Sequence, residues 1–320
     1  MKLFEAFLRL IRWPNLIFIA LTQWLFYYCI VNSLYKEGVS TAPHFPHQNV
    51  LFYLLIAASV LIAAAGYIIN DYFDLKIDVV NKPGRVVVDR ILKRRWAIMW
   101  HLLLSLAGIA LSFYISFKTG NWIIFIANIC CVLLLWFYST TFKRKLLAGN
   151  IIIAALTAWV IVVVYFFTGA TVLNYQGWLV EHYPFDIKRF YKLTILYAGF
   201  AFIVSLIREV IKDIEDMNGD AKYNCKTMPI EWGIPASKVF TAVWIVVCIG
   251  TLGILQLYAW QSGWWAVSVY CIAAIIIPLA VILQKLHKAS TSAHYHSISS
   301  LVKLVMFAGI MSMIFFKIYA

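Results

Sequence analysis

Only 14 of the 320 residues are Asp or Glu, yet eight of them fall in two short stretches. The first is Asn70-Asp71-Tyr72-Phe73-Asp74-Leu75-Lys76-Ile77-Asp78, in which Asp71, Asp74 and Asp78 are spaced i, i+3, i+7. The second runs from Arg208 to Asp220, where Asp213, Asp216 and Asp220 repeat that spacing and Glu209 extends it by one turn. On a helix each triad shares one face. Like charges so placed repel by a few tenths of a kcal/mol per exposed pair, and by more when desolvated, so something must offset them. Hard oxygen ligands in this pattern suit a divalent cation. Mg²⁺ in particular keeps several waters and takes one or two carboxylates together with substrate phosphate oxygens. Two polar helix ends, with Lys76, Arg208 and Lys212 as local counter-charges, are the simpler reading, but they account for one stretch more readily than for two matched ones.

A phosphate-bearing substrate also calls for fixed cations beside the acids. Lys82 and Arg85 follow the first stretch, Arg208 and Lys212 lie within the second, and Lys226 follows it. Lys143 closes the run Tyr138-Ser139-Thr140-Thr141-Phe142-Lys143. Proximity to carboxylates marks these as diphosphate-binding candidates, whereas Lys93, Arg94 and Arg95 read as ordinary membrane anchors.

The elements that position these residues are set by composition. The chain is 63% hydrophobic and 13% charged, with a mean hydropathy of +0.83. A soluble globule, a disordered chain, collagen and a disulfide scaffold are all excluded by those values together with 15 Gly, 8 Pro and 6 Cys. Apolar runs occur at Trp13 to Val31, Val50 to Ile69, Ala97 to Phe117, Trp122 to Tyr138, Ala148 to Phe167, Tyr191 to Ile207, Val239 to Tyr258, Trp264 to Leu283 and Ile298 to Ile318. The expected fold is therefore all-α, a polytopic bundle of nine transmembrane helices. No strand-like alternation supports a barrel. Ahead of the first span, Leu3, Phe7, Leu10 and Ile11 recur at helical spacing among Lys2, Arg9 and Arg12, which reads as an interfacial helix over residues 1–12. The first span lacks a small-residue cleavage site after it and is expected to stay in the mature protein.

Assigning the loops alternately to two sides puts twenty of the 27 Lys and Arg on the N-terminal side. The positive-inside rule then places the N-terminus in the cytoplasm, and both acidic stretches, which end spans two and six, on that side as well. The net charge of +13 is accordingly assigned to cytoplasmic loops and anionic lipid, not to nucleic acid. The cysteines show no metal-binding or redox spacing, and no phosphate-cradling glycine loop occurs.

The run Asn70 to Asp78 followed by Asn81-Lys82-Pro83-x-Arg85 resembles the NDxxDxxxD signature of the UbiA superfamily of intramembrane prenyltransferases. The second stretch resembles that family's second acidic motif, and nine spans with motifs after spans two and six match its architecture. The resemblance covers most of the chain and implies a single integral-membrane domain, 1–320. It implies transfer of a prenyl group from an isoprenyl diphosphate, with two Mg²⁺ ions on the diphosphate. Asn70, Asp74, Asp216 and Asp220 would be the catalytic metal contacts, with Asp71, Asp78, Asp213 and Glu209 touching the ions or their ligands. Lys82, Arg85, Lys143, Arg208, Lys212 and Lys226 would hold the diphosphate. Arg12 and Asn15 would lie near the substrate cavity, and Tyr138, Tyr72 and Phe73 offer aromatic faces for an allylic cation. The expected location is the plasma (inner) membrane with the site facing the cytoplasm.

The chemistry is consistent with those residues. An allylic carbon–oxygen bond breaks toward a cation once the departing diphosphate is neutralised, and a cavity among apolar helices keeps water from that cation. The run from Arg208 to Asp220 with Lys226-Thr227-Met228-Pro229 is most similar to the archaeal-type lipid subgroup, which makes digeranylgeranylglyceryl phosphate by alkylating the hydroxyl of a prenylglyceryl phosphate. The departure is at Val86-Val87-Val88-Asp89, where that subgroup continues with Arg-Pro and a glycine turn. An aromatic acceptor of quinone synthesis is the alternative. A divalent-cation or polyanion transporter fits less well, because its ionisable groups belong at midplane and an inverted repeat would put the motifs on opposite sides.

Overall fold

The computed structural model of the chain describes residues 2–34, 48–81, 87–89, 91–174 and 185–319. These residues are almost entirely helical, as hydrocarbon requires of a backbone with no water to bond. The helices are α1 (Lys2–Leu10), α2 (Trp13–Leu25), α3 (Gln48–Asn81), α4 (Arg94–Thr119), α5 (Trp122–Thr140), α6 (Ala148–Asn174) and α7 (Ile187–Lys222), followed by the short α8 (Met228–Glu231), α9 (Gly233–Gln261), α10 (Trp265–Cys271), α11 (Ile277–Lys288), α12 (Ser292–Met311) and α13 (Ile314–Tyr319). Proline stands in the first turn of α2 and α8, where its missing N–H costs nothing. Asn121 and Thr291 cap α5 and α12 with their side chains.

Among the described residues nine helical segments are long and apolar enough to cross a membrane, in the order the hydropathy predicts. Their ends differ from that prediction. The second and sixth spans do not stop at Ile69 and Ile207 but run on as α3 and α7, of 34 and 36 residues, through both acidic stretches. At 1.5 Å per residue each is about 50 Å long, against a hydrocarbon core of about 30 Å. Hydropathy marks only the part of a helix that must be apolar and is blind to its continuation. The first and eighth spans each include a wider π-helical turn, Phe26–Val31 and Ile272–Ile276, which periodicity does not signal.

The chain divides into two compact units, Met1–Thr141 with Trp159–Ile195 and Phe142–Ala158 with Leu196–Ala320. In the first unit α3 packs against α2, α4 and α5. Close approach of α3 and α4 depends on Gly108, where a Cβ would stand 2.7 Å from Ile62 Cγ1 and 3.2 Å from the Ala58 carbonyl oxygen. Polar groups inside these spans are cross-linked: Gln23 Nε2 donates to Ser59 Oγ at 2.9 Å and to the Val160 carbonyl at 3.1 Å, and His101 Nδ1 lies 3.0 Å from the Ala65 carbonyl oxygen. The short α1 buries Ala6 and Leu10 on Ile68 of α3 and on Val87, Val88 and Leu92 beyond its end. In the second unit Val204, Ile207 and Ile211 of α7 share a core with Ile245 of α9, Leu279 and Ile282 of α11 and Val302 of α12. Gly309 of α12 sits on the ring of Phe200.

Large apolar side chains such as Leu106, Ile254 and Leu257 are 65 to 71% exposed, a surface suited to lipid. Gly108→Ala is expected to wedge α4 away from α3, costing about 1–3 kcal/mol. Gly250→Ala, with nothing within 4 Å of the new Cβ, is expected to leave the melting temperature in detergent unchanged or raised. Equal melting temperatures for the two variants would contradict this packing.

Candidate functional site

In the first unit the acidic motif occupies the last three turns of α3, which carries Asn70, Asp71, Asp74 and Asp78. Asp74 is 3% exposed, and its Oδ2 accepts from Asn70 Nδ2 at 2.7 Å one turn earlier. Asn70 Oδ1 is fully buried and has no hydrogen-bond partner among the described residues. An amide oxygen left so costs about 1–3 kcal/mol, and an unpaired hard oxygen beside a carboxylate is the donor set a divalent cation takes up. Asp71 accepts from Arg12 Nη2 at 2.7 Å, with the two side chains 20% and 37% exposed respectively.

Arg12 reaches Asp71 because of an unusual joint. It lies between α1 and α2 in the left-handed region, φ 51 and ψ 50, while its neighbour Leu10 is anchored in the core. A left-handed non-glycine residue is held against about 1 kcal/mol or more of strain. The guanidinium also covers the ring of Tyr67, 5.1 Å from its centroid and one turn before Asp71. Burial works against the charge of Arg12, but Asp71, with Tyr67 and Asp74, outweighs it and holds the pKa above the ordinary arginine value. Asn15 donates its backbone N–H to the Arg12 carbonyl at 2.8 Å. Of the aromatic candidates, Tyr72 lies under Arg94, 4.7 Å from guanidinium to ring centroid, and Phe73 meets Trp136 edge-on at 5.8 Å. Tyr138 is half-buried on α5. Lys82 and Arg85 lie outside the described residues.

In the second unit the acidic motif is the C-terminal part of α7, with Arg208, Glu209, Lys212, Asp213, Asp216 and Asp220 all on that helix. Glu209 is 8% exposed and accepts from Arg208 Nη1 at 3.1 Å and from Lys212 Nζ at 3.0 Å. Arg208 and Lys212 thus have a carboxylate partner within their own helix. Asp213 accepts from Asn150 Nδ2 at 2.8 Å, across to the first turn of α6. Asp220 is buried, and its backbone carbonyl accepts the N–H of Cys225, which with left-handed Asn224 turns the chain out of the helix. That turn brings Lys226 to the short helical turn containing Lys143, through the Lys226 N–H donating to the Arg144 carbonyl at 2.9 Å. On another side of α7, Glu215 is held by His296 at 2.9 Å and its carbonyl accepts from Ser292 Oγ.

Sequence reasoning did not find Asn150 or Arg94. The signal for Asn150 was available: an amide in an otherwise apolar run is costly in a membrane and usually has a partner. Arg94 carried no signal, being one cation in a basic run. Among the described residues no group of three or more His, Cys, Asp or Glu converges as a ready-made ion cage. The acids are instead spread along helices, an arrangement that suits an ion completed by substrate phosphate and water. A cavity of about 660 Å³ bounded by Lys238, Ala242, Leu283, Gln284 and His287 contains none of these carboxylates.

Comparison with known proteins adds to this geometry. Residues 38–305 match the UbiA prenyltransferase family. A digeranylgeranylglyceryl phosphate synthase of Methanoregula boonei is 30% identical over 224 residues, covering 70% of this chain and 71% of that protein. The enzyme of the same name from Sulfurisphaera tokodaii is 27% identical over 95% of this chain and 97% of its own length. Among solved structures, a UbiA homologue from Archaeoglobus fulgidus bound to DMAPP and Mg²⁺ superposes with a TM-score of 0.55 at 17% identity, covering 96% of this chain and 99% of that one.

Glu209 pairs with both Arg208 and Lys212, so removing it takes a carboxylate away from two cations of α7. Glu209→Gln is expected to destabilise the protein by about 3 kcal/mol, and Lys212→Met on that background to recover part of the loss. Additive losses in a double-mutant cycle of melting temperatures would show that the two side chains do not interact.

Proposed function

The chain belongs to the UbiA prenyltransferase family, and from that premise we propose that it transfers a geranylgeranyl group from its diphosphate to the free hydroxyl of a prenylglyceryl phosphate. That it is a prenyltransferase with several membrane-spanning helices follows from the family and the nine spans. The acceptor rests on the two relatives described above, whose shared name specifies that product, and on the run from Arg208 to Asp220 with Lys226.

The observation that carries the metal part of the reading is the pair Asn70 and Asp74, a buried amide oxygen without a partner among the described residues beside a buried carboxylate. Asn70 and Asp74 would hold Mg²⁺ in the first unit, and Asp216 and Asp220 would do so in the second; two ions are proposed. Mg²⁺ when bound neutralises the diphosphate and so favours its departure. Arg208, Lys212, Lys226 and Lys143 supply fixed positive charge from the second unit, and Lys82 and Arg85 follow the first motif in sequence. Heterolysis of the allylic C–O bond sends the electron pair to the diphosphate. A lone pair of the acceptor hydroxyl then forms the new C–O bond, and its proton is released, leaving an ether and diphosphate. The apolar side chains of the spans exclude water that would otherwise capture the cation.

The topology proposed with this activity places the N-terminus and both acidic helix ends on the cytoplasmic side of the plasma (inner) membrane, the side favoured by twenty of 27 basic residues. Transfer to an aromatic acceptor is the competing reading.

Purified protein in detergent, given labelled geranylgeranyl diphosphate, Mg²⁺ and a panel of glyceryl-phosphate and aromatic acceptors, is expected to yield a labelled ether with the former, and none when EDTA replaces Mg²⁺. Release of diphosphate with no acceptor in the panel consumed would reject the reading. Asp74→Ala and Asp216→Ala are each expected to lower turnover by at least about a hundredfold, equivalent to about 2.7 kcal/mol of barrier, with the melting curve retained. Wild-type rates in both would remove these residues from the site.

A further inference from the structure

The two triads share a feature beyond their spacing. In each, the first carboxylate is bonded by a side chain from a different helix or helix joint of its own unit: Arg12 to Asp71 at 2.7 Å, and Asn150 to Asp213 at 2.8 Å. Asp71 and Asp213 occupy the same place in the repeat, three residues before Asp74 and Asp216. Neither donor is loosely placed. Arg12 is fixed by its left-handed backbone, by the ring of Tyr67 beneath it and by the packing of Ala6 and Leu10. Asn150 is 7% exposed and belongs to the first turn of α6.

We propose that Asp71 and Asp213 are anchors rather than metal ligands, and that Arg12 and Asn150 are positioning residues that raise the Mg²⁺ affinity of Asn70 with Asp74 and of Asp216 with Asp220. The inference rests on the metal reading of the preceding subsection. Its physical content is twofold. A donor on the first carboxylate offsets part of the repulsion it exerts on the next one, one turn away. It also fixes the rotation of the helix end, and hence the direction in which the following oxygens project, as partners of a metal's ligands do in general.

The experiment is Mn²⁺ titration followed by electron paramagnetic resonance on the full-length protein in detergent, with geranylgeranyl thiolodiphosphate present, alongside melting curves. Asp74→Asn is expected to weaken Mn²⁺ binding by more than about tenfold. Asp71→Asn and Asp213→Asn keep an acceptor for Arg12 and for a hydrogen bond with Asn150, and are expected to weaken it by no more than about threefold. Arg12→Ala and Asn150→Ala are expected to weaken it by about tenfold, and Arg12→Lys to restore most of the loss in the first case. A merely structural role would move the melting temperature of Arg12→Ala and not the Mn²⁺ affinity of the protein that remains folded. Asp71→Asn as damaging as Asp74→Asn would overturn the anchor assignment, and unchanged affinity in both alanine variants would overturn the positioning one. Absence of Mn²⁺ binding by the wild type would instead reject the metal reading itself.

Discussion

Carboxylates concentrated near the C-terminal end of a long helix are unfavourable on two counts. They repel one another along a shared face, and those in the last turn meet the negative end of the helix dipole. Both α3 and α7 carry this burden, with Asp78 and Asp220 in their final turns, two more acids before Asp78 and four before Asp220. Such a helix end persists only with positive charge brought to it. Much of the local architecture of each unit can be understood as supplying that charge from the protein and, on the proposed function, from cations that arrive with the substrate.

The two units use different donors. In the first, the whole of α1 is docked through Ala6 and Leu10 so that the joint after it can present a guanidinium to Asp71. In the second, the counter-charges for Glu209 come from α7 itself, and Asp213 is held by a neutral amide. A neutral donor is a sound choice there. Another full cation beside Arg208 and Lys212 would compete for Glu209, whereas an amide stabilises a carboxylate without changing the local charge. Asn70 is the counterpart in the first unit. Its amide N–H bonds Asp74 while its oxygen has no hydrogen-bond partner among the described residues, a buried cost that a bound cation or another donor would offset.

Much of this was legible beforehand. The count and order of the spans follow from hydrocarbon length, and the spacing of Asp71, Asp74 and Asp78 already placed them on one helical face, which α3 retains. The span ends were not legible, because the polar continuation of α3 through Asn81 and of α7 through Lys222 carries no hydropathic signal. Arg208 and Lys212 were visible as cations, but their shared contact with Glu209 depends on rotamers that spacing leaves open. The sequence marks Arg12 only as a residue near a cavity, and Asn150 lies inside an apolar run that gives it no motif.

What the sequence determined by itself is local: which segments are too apolar for water, where acids recur with a helical period, and which motif those acids form. Each of these depends on residues within a few turns of one another, and the physics of one helix in lipid is enough to read them. The tertiary structure alone decided which donor meets which carboxylate. Arg12 and Asp71 are 59 positions apart, and Asn150 and Asp213 are 63. Those pairings are set by a left-handed joint, by close helix packing at residues such as Gly108, and by the rotation of each long helix about its axis. None of these has a period that a linear chain displays.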